Sequence, residues 1–214
     1  MSTSDATGLT ANRLEALGDG VFAIVLTLIA LELKNPAVSL GASPGEVTKA
    51  LLRLWPQMLC YVMAFVSVGT LWIAHRALFH FISRTDRVFL WINLSFFLFV
   101  TLIPFLTSVV LQLPRYAMPV ALYGLNLIVS VMILFGMWRY ASGRPHLVSA
   151  AVSPEIRRAV GFRILIGPCV YAVALAMAFL NTWISIVLYV LVPVAYSMPG
   201  KVDLHWRSDG CDLA

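Results

Sequence analysis

The residues of this chain that could do chemistry are few and widely spaced. Arg13, Glu15 and Asp19 sit at the start of one apolar run, Trp72 and His75 at the end of another, and His80 follows. The chain holds no HExxH pair, GxSxG elbow, Walker loop or dinucleotide fingerprint, the patterns that would announce a metal, a nucleophile or a bound nucleotide. His75 and His80 are five residues apart, which puts them on different faces of a helix. His80 therefore reads as an interfacial histidine. Cys60, Cys169 and Cys211 are far apart and odd in number, so neither a disulfide framework nor a zinc site is expected; two of them read as small residues at lipid depth or in the core. The expectation is no enzyme, no cofactor and no resident metal.

Asp19 is the informative ionisable group. A charge at the centre of a spanning helix costs about 2.5–3.5 kcal/mol even on insertion scales, and less near an interface. Taken alone, Asp19 reads as an acid complementing the positive end of a helix dipole. Gly18 and Gly20 on either side weaken a helix but permit close approach of a neighbour, which fits close packing around a satisfied carboxylate. Trp72 and His75, at the same expected membrane level, and Arg13 are the candidate partners.

The elements that must position these groups are membrane spans. The 214 residues are 60% hydrophobic and only 12% charged, about half the charged fraction of a soluble domain. The apolar residues come in long blocks rather than at amphipathic spacing. Six spans are expected, at about 13–33, 51–73, 88–111, 118–140, 162–180 and 183–199, in a single membrane domain covering 1–214. The run Gly20 to Leu33 alone is short, since a bilayer core needs roughly 20 helical residues. The first helix must therefore begin near Arg13 and carry Glu15 and Asp19 into the membrane edge. Pro56, Pro104 and Pro168 fall inside spans, where neighbouring helices and polar side chains can satisfy freed carbonyls. Ser153-Pro154-Glu155 has the cap, first-turn proline and acid of a helix start. The polar Met1 to Asn12 stretch lacks the basic region of a signal peptide.

Lys and Arg set the orientation, because short cytoplasmic loops hold the excess. With both termini inside, the cytoplasmic side has Arg13, Arg76, Arg84, Arg87, Arg139, Arg144, Arg157, Arg158, Arg163, Lys201 and Arg207, eleven in all; the other side has four, Lys34, Lys49, Arg53 and Arg115. The net charge of +5 thus reads as a topology signal. It does not form the basic stripe with interleaved aromatics that nucleic acid requires.

Past Asp19, Ile24, Thr27, Leu28 and Leu31 fall on one face of the first helix. By pattern alone such a face is more often turned to lipid or core than to a pore. Beyond pattern, Arg13, three residues, then Leu17-Gly18-Asp19, followed by Gly20-Val21-Phe22-Ala23-Ile24 and Thr27-Leu28, resembles the first helix of the transmembrane protein 175 family, the lysosomal-type potassium channels and their prokaryotic relatives. Val68-Gly69-Thr70-Leu71-Trp72-Ile73-Ala74-His75 resembles the pattern that ends the family's second span; Asn93-Leu94 and Pro104-Phe105 resemble its third. Two positions depart: Leu17 and Gly18 stand where the family has Phe-Ser, and Arg76 where relatives often have a second His.

The resemblance implies an all-α integral membrane protein, a six-helix subunit assembling as a homotetramer with the first helix of each copy around a central pore. It implies potassium-preferring conduction without a Thr-Val-Gly-Tyr-Gly filter, a pentapeptide the sequence lacks. Ile24 would form the narrowest ring, with Leu28 and Leu31 stacked above it as a hydrophobic gate that closes by dewetting. Thr27 would offer oxygens for ion selectivity. Arg13, Asp19, Trp72 and His75 would form a structural polar network, with Asp19 as a cation-concentrating mouth charge the alternative. Potassium ions in transit would be the only metal, and the bilayer and other copies of the chain its partners. The location implied is the cell inner (plasma) membrane. A proton-coupled secondary transporter would instead show broken helices and paired acids or histidines near the midplane. A non-conducting membrane scaffold is the remaining alternative.

Overall fold

The computed structural model describes residues 11–36, 38–39, 41–149 and 152–197. Cys211, Lys201, Arg207, most of the polar N-terminal stretch and the last two residues of the expected sixth span lie outside them. The described chain is all-helical: α1 (Ala11–Leu31), α2 (Pro44–Leu52), α3 (Trp55–Phe79), α4 (Arg87–Thr101), α5 (Ile103–Gln112), α6 (Ala117–Ser142), α7 (Pro154–Ala178) and α8 (Thr182–Ser197). Five stretches are long and apolar enough to cross a membrane: α1, α2 with α3, α4 with α5, α6, and α7; α8 is apolar but shorter. The protein is an all-α, multi-pass membrane protein.

Local chemistry explains the boundaries. Ser43 and Glu46 close a reciprocal capping box at the start of α2; α2 buries none of its side chains. Pro56 lies in the first turn of α3, where its missing N–H costs nothing, rather than in the middle of a span. Pro104 has the opposite effect. Without its N–H the helix breaks at Leu102, dividing α4 from α5. Asn126 on α6 reaches across this break, its amide donating to the Phe99 carbonyl over 3.0 Å, so a polar side chain on a neighbour satisfies a backbone group at membrane depth. Ser153 caps α7 by accepting from the Ile156 amide, with Pro154 in the first turn.

α6 is the hub, packed most extensively on α7 and also on α3, α4, α5 and α8. α1 lies to one side of it, against α3, α4 and α5. At one face of the bundle the α3–α4 and α6–α7 turns are joined by an antiparallel bridge, Ile82 to Val148, with the Ser83 amide donating to the Leu147 carbonyl (2.8 Å) and the Ser149 amide to the Phe81 carbonyl (3.1 Å). At the other, Trp55 and Trp183 rest ring against ring with centroids 5.0 Å apart, as interfacial aromatics do.

Candidate functional site

α1 has two faces with different fates. Leu14, Gly18, Phe22, Val25 and Ile29 are buried on the bundle side. Ile24, Leu28 and Leu31 are 61%, 43% and 79% exposed and Thr27 is exposed, so the subunit leaves a full apolar stripe of its first helix bare. Thr27 turns its hydroxyl back to its own helix, donating to the Ile24 carbonyl over 2.7 Å.

Toward the N-terminal end, α3 holds α1 at two points three residues apart. The Trp72 indole N–H donates to Asp19 Oδ1 over 2.8 Å, so the carboxylate at the membrane edge has a charge-assisted bond. The Arg76 guanidinium lies over the same indole, 5.7 Å from its centroid, within reach of a cation–π contact. One tryptophan thus has an anion at its edge and a cation on its face. Asp19 is exposed, which keeps the energetic worth of the bond modest.

The second hold is apolar. The His75 ring is 2% exposed and lies among Phe22, Phe79, Phe96 and Phe97, stacked on Phe96 at 5.4 Å and 5° and 4.5 Å from Phe79. It does not bond Asp19. His75 Nε2 and Asn93 Oδ1 are 2.9 Å apart, and since an amide oxygen only accepts, Nε2 carries the proton and donates. Nδ1 then faces α1, and only a glycine fits beneath it: a Cβ at Gly18 would stand 2.9 Å from His75 Cε1, 3.4 Å from Nδ1 and 3.3 Å from Phe97 Cζ.

Of the four residues expected to form one polar network, the structure joins Asp19 to Trp72 and seats His75 beside them in a separate aromatic box. Arg13 is exposed and stays apart from Asp19's hydrogen bond. Asn93 and Arg76 were missed as members. Asn93 carried a signal, an amide in the middle of an apolar run, where burial demands a partner. Arg76 is one helical turn past Trp72, the spacing at which side chains meet. Among the described residues no group of three or more His, Cys, Asp or Glu side chains could hold a metal ion.

These features define a helical membrane protein whose first helix is clasped on one side and bare on the other. Residues 13–104 match the family model described as endosomal/lysosomal potassium channel TMEM175. A protein described as a potassium channel from Chamaesiphon minutus is 31% identical over 178 residues, 81% of this chain and 87% of its own length. The crystal structure of a lysosomal potassium-selective channel TMEM175 homolog from the same organism superposes with a TM-score of 0.74 at 26% identity, covering 88% of this chain and 96% of that one. The chain also matches the endosomal/lysosomal proton channel TMEM175 of Danio rerio, 33% identical over 112 residues but spanning only 22% of that longer protein. The chain belongs to the TMEM175 family. Its members are ion channels, not enzymes.

Proposed function

We propose that this protein is a potassium-preferring cation channel, a homotetramer in which α1 of each copy lines the pore and no Thr-Val-Gly-Tyr-Gly filter is used. The observation that carries this reading is the bare stripe of α1. A helix clasped to its own subunit through Gly18, Asp19 and Phe22 while presenting Ile24, Thr27, Leu28 and Leu31 outward has the form of a pore lining awaiting identical copies. The relatives described as potassium channels support the ion assignment.

In this reading Ile24 makes the narrowest ring and Leu28 and Leu31 the rings above it, closing the path by dewetting. Thr27, whose hydroxyl proton is engaged by the Ile24 carbonyl, turns oxygen lone pairs toward a passing ion. The Asp19–Trp72 bond and the His75 box hold the pore helix in place. The chain forms one membrane domain in the plasma membrane, with the arginine-rich face and both termini cytoplasmic. Potassium flux into liposomes holding the purified protein, run against sodium and proton controls, tests this. Ile24→Asn should wet the constriction and raise the flux. A verified tetramer that passes no ion under any gradient would end the channel reading, and proton flux without potassium flux would move the assignment to the cation named for the vertebrate relatives.

A further inference from the structure

The face bearing the α3–α4 and α6–α7 turns carries more positive charge than topology requires, and part of it is fixed in place. Arg84 and Arg87 flank one turn, Arg139 and Arg144 end α6 and begin the other, and Arg157 and Arg158 lie in the second turn of α7. The bridge between Ile82 and Val148 draws the two turns together, and the Arg84 amide donates to the Leu147 carbonyl over 3.3 Å. Trp138 closes the third side, its indole N–H donating to the Arg157 carbonyl over 3.1 Å while its ring meets Phe81 edge-on at 5.7 Å. Three helices and two turns thus converge on one corner.

A topology signal needs only that arginines stay on one side of the bilayer; it does not need them ordered. Arg144 is ordered. Its guanidinium lies 3.7 Å from the Tyr140 ring centroid, with Nη1 3.5 Å from the Tyr140 carbonyl oxygen. The Tyr140 hydroxyl is itself tied to Asp86 Oδ2 at 2.8 Å. Arg157 is half-buried, and its Nε is closed off from solvent without a hydrogen-bond partner, so its guanidinium is lodged at the corner without its full set of acceptors. The carboxylates of the corner do not supply one: Asp86 already accepts from the Phe89 amide and Tyr140, and Glu155 is exposed. Val88 and Trp91 follow Arg87 along α4 and Phe162 follows Arg158 along α7, and they are 51%, 67% and 71% exposed. Planar guanidinium forks match phosphate oxygens in pairs, and the apolar residues one turn deeper suit acyl chains.

We infer that this corner, built by Arg84, Arg144 and Arg157 over the joined α3–α4 and α6–α7 turns, binds the phosphate headgroup of an anionic phospholipid whose chains lie along α4, α6 and α7. Membrane-spanning helices bring the corner to headgroup level, and the site is independent of what passes through the pore.

Native mass spectrometry of the full-length protein in detergent, with phosphatidylglycerol or phosphatidylcholine added, tests the inference. The wild type should retain phosphatidylglycerol in preference. Arg144→Gln and Arg157→Gln should each weaken that retention about fivefold, the share of one arginine near a charged lipid surface, and Arg115→Gln on the opposite face should leave it unchanged. Arg144→Lys keeps the charge and loses the stacked fork, so it should also weaken retention. Should Arg157→Gln fail to fold, Arg84→Gln, altered only at an exposed side chain, takes its place with the same expectation. Equal retention of the two lipids, undiminished retention in the Gln variants, full retention in Arg144→Lys, or displacement of the lipid by millimolar inorganic phosphate would each overturn the assignment.

Discussion

Replacing Gly18 with alanine puts one methyl group where the structure leaves none to spare. The new Cβ would lie 2.9 Å from His75 Cε1 and 3.3 Å from Phe97 Cζ, well inside the 3.5–4.0 Å at which carbon atoms rest. A flexible neighbour would swing away, but His75 cannot. It is pinned by its bond to Asn93 and boxed by Phe22, Phe79, Phe96 and Phe97. Overpacking of this kind costs about 1–3 kcal/mol, and the better helix propensity of alanine returns at most about 1 kcal/mol. Against wild type the net is a loss of up to about 2 kcal/mol, or a fall of up to about 8 °C in Tm for a chain of this size, and against a glycine-to-alanine change that meets no neighbour the full cost of about 1–3 kcal/mol remains. Gly136→Ala on α6 is the matched control, because a Cβ there meets nothing within 4 Å and only the propensity gain remains. Thermal unfolding in detergent should therefore rank Gly136→Ala at or above wild type and Gly18→Ala below it. A Gly18→Ala protein as stable as the control would mean that the aromatic box yields, and the account of how α1 is seated would fail.

Three further outcomes are expected. Gly124→Ala should be more damaging still, since its Cβ would overlap the Tyr189 hydroxyl and stand 2.7 Å from Cζ; adding Tyr189→Phe should recover part of the lost Tm, and no recovery would show that the hydroxyl is not the obstacle. Asn93→Leu strands the buried Nε2–H of His75 and should cost about 1–3 kcal/mol, read in the same unfolding assay, with a neutral result excluding the bond from any structural role. Asp86 supplies an acid limb: although burial works to raise its carboxyl, the Phe89 amide, the Tyr140 hydroxyl, Arg144 and His146 together hold it below the ordinary value of 3.8. A group depressed in the folded state stabilises above its unfolded value and loses that stabilisation as the pH falls through the folded one. Tm should thus decline on acidification below about pH 4 in the wild type and less steeply in Asp86→Asn; parallel curves would remove Asp86 as a source.

The helical, membrane-crossing class was legible because hydropathy in long blocks is a one-dimensional signal. The close approach at Gly18 was legible in kind, since glycines beside a membrane acid admit a neighbour. What was not legible is that the neighbour is an imidazole ring, because the choice of Asn93 over Asp19 as the partner of His75 depends on how α4 packs on α3, which no local pattern encodes. At position 18 the side chain that the resemblance leads one to expect is missing, and in this chain His75 and Phe97 occupy the space it would take. Helix α2 is a different case. Ser43-Pro44-Gly45-Glu46 is a capping-box pattern, a start signal present in the sequence itself, lying ahead of the span expected at 51–73. The Ile82–Val148 bridge joins residues far apart in the chain and left no trace in either turn. Pro104 reads as a proline inside one span, with freed carbonyls for a neighbour to satisfy; that the helix divides there and that Asn126 supplies the donor required the fold.

On the buried side of α1, Leu14 and Phe22 stand one turn before and after Gly18. The glycine is therefore a detent, a notch with bulky teeth on either side. Sliding the helix along its own axis by one turn, about 5.4 Å, would drive leucine or phenylalanine into the seat of His75, so piston-like travel is barred in both directions. If α1 lines a pore as proposed and moves when that pore opens and shuts, travel along its own axis is the motion this seat opposes.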